Sequence, residues 1–243
     1  MSNAPRPDGV ERLDWQENKR EVFDTIAARY DKEIDWDEFL MGMKLLRWWL
    51  MRKAKGDTLE VSAGTGRNLP FYPRSALRSL TVTDVSIPML QQAQSKFSPL
   101  QATFHSSEPN TTDPKQPHPL PTRFVPASAA SLPAPSASFD TVVQSFGLCS
   151  QADPVRALQE IQRVCKPDGT ILLLEHGRSH YAWLDDLLDR TAMSHADKWG
   201  CWYNRDVADI LNRSGLEVIE MGRWHFGTTW WVVAKPGKGV TTK

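Results

Sequence analysis

The stretch "LEVSAGTGRNLPFYP", Leu59 to Pro73, places an apolar run and an acid ahead of a glycine-rich loop. Residues 57–62 read as a short buried strand. In an open α/β sheet, the loop after such a strand is where a ligand meets the carboxyl edge. Gly64 and Gly66 let the backbone approach a ligand closely and take torsions that other residues avoid. A second strand, "SLTVTDVS", ends at Asp84, positioned to accept hydrogen bonds from a ribose diol. A dinucleotide calls for G-x-G-x-x-G, but the register here is Ser62-x-Gly64-x-Gly66, with Leu69 at the third-glycine position. A phosphate-binding loop needs G-K-[ST], which is absent. S-adenosylmethionine carries no phosphate, and its ammonium group suits a carboxylate such as Glu60. The bland alternative, an ordinary tight strand-to-helix turn, is disfavoured by the two acids and the alternating pattern around it.

Outward from this loop the chain alternates. Helical spacing marks Trp15–Tyr30 and Trp36–Lys55, and "IPMLQQAQSKF" suits a helix with proline in its first turn. "FDTVVQSF" reads as a strand. "DPVRALQEIQRVC" reads as a helix capped by Asp153 with proline at N1, and "GTILLLEHG" as a buried strand. "WLDDLLDRTAMSHA" and "NRDVADILNRSG" are helical, the latter ending at Gly215. The last run, "LEVIEMGRWHFGTTWWVVAKP", predicts an antiparallel hairpin. The expected fold is α/β, a doubly wound, seven-stranded, mostly parallel sheet closed by that hairpin. Residues 15–236 are expected to form one domain, with a helical cap over 15–55 and a flexible proline-rich insertion near 105–123. Residues 1–14 and 237–243 are expected to be disordered.

The 243 residues carry 29 basic and 29 acidic side chains, which argues against bulk electrostatic binding to nucleic acid. The three cysteines, Cys149, Cys165 and Cys201, have no C-x-x-C spacing and fit a reduced intracellular protein. The apolar cluster "LLRWWLM" is interrupted by Arg47 and too short to span a bilayer, and residues 1–21 lack a signal-like apolar core. The expectation is a soluble, intracellular chain with no transmembrane segment and no metal.

Several segments resemble the class I S-adenosylmethionine-dependent methyltransferases of the quinone-methylating type. They are "VFDTIAARYDKEIDW", "LEVSAGTGRN", "TVTDVSIPMLQQAQSKF", "ASAASLPAPSASFDTVVQSFGLCS" and "EIQRVCKPDGTILLLEHGRS". The resemblance runs from Val22 to Pro236. "FGLCS", "LLLEHGRS", "HADKWGCWYNRD" and "HFGTTWWVV" are similar to fungal mitochondrial methyltransferase-like proteins anchored in the inner membrane, and more distantly to animal membrane-bound thiol methyltransferases. The resemblance implies S-adenosyl-L-methionine as cofactor and a Rossmann-like fold. It implies a cofactor site of Tyr30, Glu60, Ser62, Ala63, Gly64, Thr65, Gly66, Asp84, Val85, Met89, Ser128, Ala129, Gln144, Ser145 and Phe146. Two positions depart from the family pattern. Ser62 replaces the first loop glycine and narrows the space for the cofactor's amino-acid end; Ser128 replaces the aspartate that meets the adenine amine. The family's membrane anchor has no counterpart here, so the sequence itself reads as cytoplasmic, and the resemblance reads as mitochondrial.

Methyl transfer from a sulfonium has a good leaving group, so alignment and water exclusion supply most of the rate, and a base is needed only to deprotonate the acceptor. The acceptor should lie over the ends of strands four and five, near Gln144, Ser145, Phe146, Cys149, Glu175 and His176. His176 is the base candidate; alternatively it fixes the turn at Gly177. Cys149, His195, Trp199, Trp202 and Trp230 are candidates for the acceptor pocket, and each also has a packing alternative. The expected activity is methylation of a small, apolar or aromatic acceptor at oxygen, sulfur or carbon. A non-catalytic methyltransferase-like binding or mitochondrial assembly factor is the alternative.

Overall fold

The computed structural model describes residues 11–105 and 120–237. Among the described residues, seven strands form one sheet in the order β3-β2-β1-β4-β5-β7-β6. They are β1 (Gly56–Val61), β2 (Leu77–Asp84), β3 (Thr122–Pro126), β4 (Phe139–Ser145), β5 (Cys165–His176), β6 (Glu217–Trp224) and β7 (Thr229–Lys235). β1 to β5 pair in parallel, whereas β7 runs antiparallel between β5 and β6. The strand order reverses beside β1, which places the glycine loop at the switch point where open α/β sheets take ligands.

The apolar run of β5 explains its central place. Ile171 and Leu173 face one core with Val142, Leu158 and Ile161; Leu172 and Leu174 face the other with Val82, Val143 and Leu50. Both faces are therefore buried, as a parallel strand between helix layers requires. α4 (Pro154–Val164) and α6 (Val207–Ser214) cover the first face. α2 (Met43–Met51) and α3 (Ile87–His105) cover the second. The Asp153 carboxylate accepts from the Arg156 N–H at 3.0 Å and caps α4, with Pro154 at its first turn; Gly215 ends α6 in the left-handed region.

Two boundaries differ from the sequence reading. One helix, α1 (Glu11–Leu40), replaces the expected break after Tyr30, and residues 11–14 of the expected lead lie within it. Asp31, Asp35 and Glu38 on this continuous helix form ion pairs with Arg67. The chain turns at Gly42, whose φ of +65° suits glycine, and α2 ends at Met51 rather than Lys55. The remaining helix is α5 (Ala182–Trp199), which contacts α1. Most of the proline-rich insertion, both remaining termini of the expected disorder and their side chains lie outside the described residues. Among the described residues, no helix is long and apolar enough to cross a membrane.

Candidate functional site

The loop after β1 is shaped by three residues with positive φ, Ser62 (+54°), Gly64 (+56°) and Gly66 (+74°). The two glycines do different work. A Cβ on Gly66 would come within 2.5 Å of Leu69 and 2.9 Å of Ala93, so its absence lets α3 lie close behind the loop. A Cβ on Gly64 would meet nothing within 4 Å, so this peptide faces open space. Ser62 occupies a conformation disfavoured for a side chain. Its hydroxyl accepts from Gln144 Nε2 at 3.3 Å and Gln151 Nε2 at 3.2 Å.

Asp84 forms the floor. Its carboxylate accepts from the Gly64 N–H at 2.7 Å and the Ser86 N–H at 2.9 Å, tying the end of β2 to the loop. Burial raises its pKa, an effect these two amides oppose. Above the loop, α1 is clasped by charge. Asp31 accepts from Thr65 Oγ1 at 2.6 Å and pairs with Arg67 and Lys96; Asp24 accepts from Ser86 Oγ at 2.5 Å. Arg67 also meets Asp35 and Glu38, and these partners outweigh burial and raise its pKa.

The resulting cleft is lined by Tyr30, Ser62, Ala63, Gly64, Thr65, Asp84, Val85, Met89, Ser128, Ala129, Ser145 and Phe146, twelve of the fifteen residues expected at a cofactor. Tyr30 stands edge-on to Trp199 at 6.2 Å, and burial holds its phenol protonated. Ser128 Oγ accepts from the Ala130 N–H at 3.3 Å.

Three residues from that set do not line the cleft. Glu60, 1% exposed, lies behind the loop and accepts from Asn68 Nδ2 at 3.0 Å and Tyr72 OH at 2.9 Å. Burial pushes its pKa up to about 7. The carboxylate therefore anchors the far side of the loop. Gly66 faces α3, and Gln144 is buried beneath Ser62.

The expected acceptor residues scatter more widely, because strand ends alone do not fix where side chains go. His176 sits outside the cleft, its ring 4.3 Å from the Phe146 ring, and burial lowers its pKa to about 4. It is neutral at physiological pH. Cys149 is buried, its thiol in reach of Cys201. Glu175, also buried, accepts from the Gly147 and Leu148 N–H groups at 3.2 and 3.1 Å and fixes the turn after β4. His195 packs edge-on against Tyr203. Trp202 packs on Ala192 and Ala196, Trp230 belongs to the main core, and Trp199 supports Tyr30. None of these tryptophans lines the cleft.

Sequence reasoning missed Arg47, Arg67, Asn68, Gly147, Ser150 and Gln151 in the lining, along with Arg20 and Phe23 of α1. A lone arginine inside "LLRWWLM" was the one visible signal, because a buried cation needs partners. Arg47 is 4% exposed and donates to Asn68 Oδ1 at 2.7 Å and Glu38 Oε1 at 2.8 Å. No group of three or more metal-ligating side chains occurs among the described residues.

Residues 59–173 match the family described as a methyltransferase domain. The mitochondrial methyltransferase OMS1 of Saccharomyces cerevisiae is 38% identical over 231 residues, covering 89% of this chain and 46% of that protein. The ubiquinone/menaquinone biosynthesis C-methyltransferase UbiE of Hahella chejuensis is 32% identical over 166 residues, covering 65% of this chain and 59% of that protein. The chain thus spans about half the length of these curated relatives. Among solved structures, the 1,6-didemethyltoxoflavin-N1-methyltransferase of Burkholderia thailandensis, with bound 1,6-didemethyltoxoflavin and S-adenosylhomocysteine, has a TM-score of 0.64 at 15% identity. That match covers 98% of this chain and 94% of the other, and it is a likeness of fold.

Proposed function

We propose that this chain, whose residues 59–173 match a methyltransferase domain and whose fold is of the class I kind, binds S-adenosyl-L-methionine in the cleft and methylates a small, flat, apolar or aromatic acceptor. The observation that carries the reading is the Asp84 carboxylate, 8% exposed at the cleft floor, joined to the Gly64 N–H beside a backbone with no side chain to fill the space. An acid at the end of β2 suits a ribose diol, and the open Gly64 peptide suits close approach of a nucleoside-linked amino acid. When bound, the cofactor supplies a methyl group on a sulfonium leaving group.

The residues around it then have separable tasks. Gly64, Ser62 and Ala63 would hold the amino-acid end and Asp84 the ribose, while Val85, Met89, Ser128 and Ala129 would surround the base. Tyr30 and α1 would exclude water from above, which favours a displacement whose charge is dispersed along its path. Burial keeps His176 neutral by disfavouring its imidazolium, which weakens it as a base, and Phe146 separates it from the cleft. Oxygen, sulfur and carbon acceptors all fit this reading, and mitochondrial residence enters it through the yeast relative alone.

Calorimetry with S-adenosylhomocysteine tests the proposal. Wild-type protein should bind it, and Asp84→Asn should weaken binding about tenfold or more, because the amide puts a donor against one of two main-chain N–H groups. No heat from wild-type protein at millimolar ligand would sink the reading.

A further inference from the structure

Three unfavourable features meet at one ring. Phe146 has a φ of +54°, in the left-handed region that a bulky side chain avoids. Its N–H donates to the Leu174 carbonyl at 2.6 Å, which holds the backbone there. The Arg47 guanidinium lies over the Phe146 ring, 5.0 Å from its centroid, and Arg47 Nε is buried with no hydrogen-bond acceptor among the described residues. The other two nitrogens of that guanidinium are engaged by Asn68 and Glu38. The third feature is His176, desolvated 4.3 Å from the same ring with the planes 33° apart. Phe146 lines the cleft and His176 does not, so the ring closes the cleft off from the imidazole.

A buried N–H without an acceptor forfeits its hydration, a buried imidazole loses access to its charged form, and a strained backbone persists only where its surroundings enforce it. Against these, the ring quadrupole holds the guanidinium on the aromatic face. The two side-chain penalties respond to one event, the departure of the Phe146 ring. A flat ring entering in its place keeps the contact with the guanidinium and the imidazole, and an oxygen on that ring can accept from Arg47 Nε.

Resting on the methyl-transfer reading above, we propose that Phe146 is a gate over an aryl-oxygen subsite: its ring stands where the acceptor's ring goes, and Arg47 holds the acceptor's acidic hydroxyl as its anion. Arg47 is then the specificity-determining residue and His176 the stacking face. The groups around His176 are Glu38, Arg47, His195 and His225, a set with one carboxylate against one permanent cation. An anion delivered there meets the guanidinium rather than a ring of acids.

The probe is p-nitrophenol, whose anion alone absorbs in the visible, with nitrobenzene as a shape control that cannot ionise. The solution is buffered about one unit below the probe's own ionisation, with S-adenosylhomocysteine left out. Phe146→Ala should bind both probes about tenfold more tightly than wild type, and bound p-nitrophenol should show an excess of anion. Phe146→Ala combined with Arg47→Met should bind nitrobenzene as before and lose the anion excess. Combined with Arg47→Lys, which keeps the charge without Nε, the excess should be intermediate; this variant decides the matter if the methionine variant fails to fold. Equal anion excess with and without Arg47, or no p-nitrophenol binding by Phe146→Ala, overturns the proposal. Because the cofactor product is absent, failure here is separate from failure of cofactor binding, which the Asp84 calorimetry reads.

Discussion

The two walls of the cleft are built on different length scales. The loop wall, Ser62 to Asn68 with Asp84, comes from one strand, its following loop and the next strand, and its key contact is the bond from Gly64 N–H to Asp84 at 2.7 Å. The opposite wall gathers Arg47 from α2, Phe146 from the end of β4 and, behind it, His176 from the end of β5. The first wall rests on backbone conformation along consecutive elements, whereas the second is assembled from side chains of distant elements and is joined to the first where Arg47 donates to Asn68. The difference means that perturbations should separate: backbone changes should break the loop wall, and side-chain changes the other.

The largest effect is expected at Gly66. Its φ of +74° and the 2.5 Å approach of Leu69 mean that Gly66→Ala adds both strain and a clash. We expect a loss on the order of 2–3 kcal/mol in urea unfolding, with S-adenosylhomocysteine binding lost in proportion to loop disorder. Unchanged stability would show that the loop wall yields as easily as a surface turn.

Next come opposite pH responses of the two walls. Glu60 titrates near 7 in the fold against 4.5 unperturbed, so between those values the folded state keeps a proton that the unfolded chain has released. Stability from this group therefore falls as pH rises through that window, by something on the order of 2 kcal/mol. His176 titrates near 4 against 6.5 unperturbed, so its contribution is lost as pH falls through the interval between them. His176 is half-buried, which limits its share to about 1 kcal/mol. The two windows overlap between 4.5 and 6.5, where the contributions oppose each other, so there Glu60→Gln should leave stability rising more steeply with pH and His176→Gln should leave it falling more steeply. Urea midpoints across that pH range check both, and identical profiles for the two variants would erase the distinction.

The smallest effect is expected at Ser62→Gly. Relief of the left-handed strain, about 1 kcal/mol, opposes the loss of the hydroxyl that accepts from Gln144 and Gln151. The net change in stability should stay within about 0.5 kcal/mol. A larger loss would make the two glutamines, rather than the backbone, the fastening of this corner.

How much was legible follows the same division. Asp153, Pro154 and Gly215 announced helix ends because caps are local chemistry, and the "ILLL" run announced a strand buried on both faces. Glu60 was misread as facing the cofactor because a strand buried on both faces does not show in its sequence which neighbours its acid will meet. Arg67 was passed over because its three acidic partners lie on α1, far away in sequence. The tryptophans suggested a pocket by their number, yet Trp230 and Trp202 are core residues.

The sequence by itself determined the alternation of strands and helices, the glycine loop, the acid that ends β2 and hence the methyltransferase fold. These depend on periodicity and on backbone torsions that few residues can adopt. Tertiary structure alone decided that Glu60 lies behind the loop, that α1 runs unbroken over the cleft through its ion pairs with Arg67, and that Phe146 stands against Arg47 and His176. Those outcomes depend on side chains from distant segments competing for the same buried space, which no local pattern records.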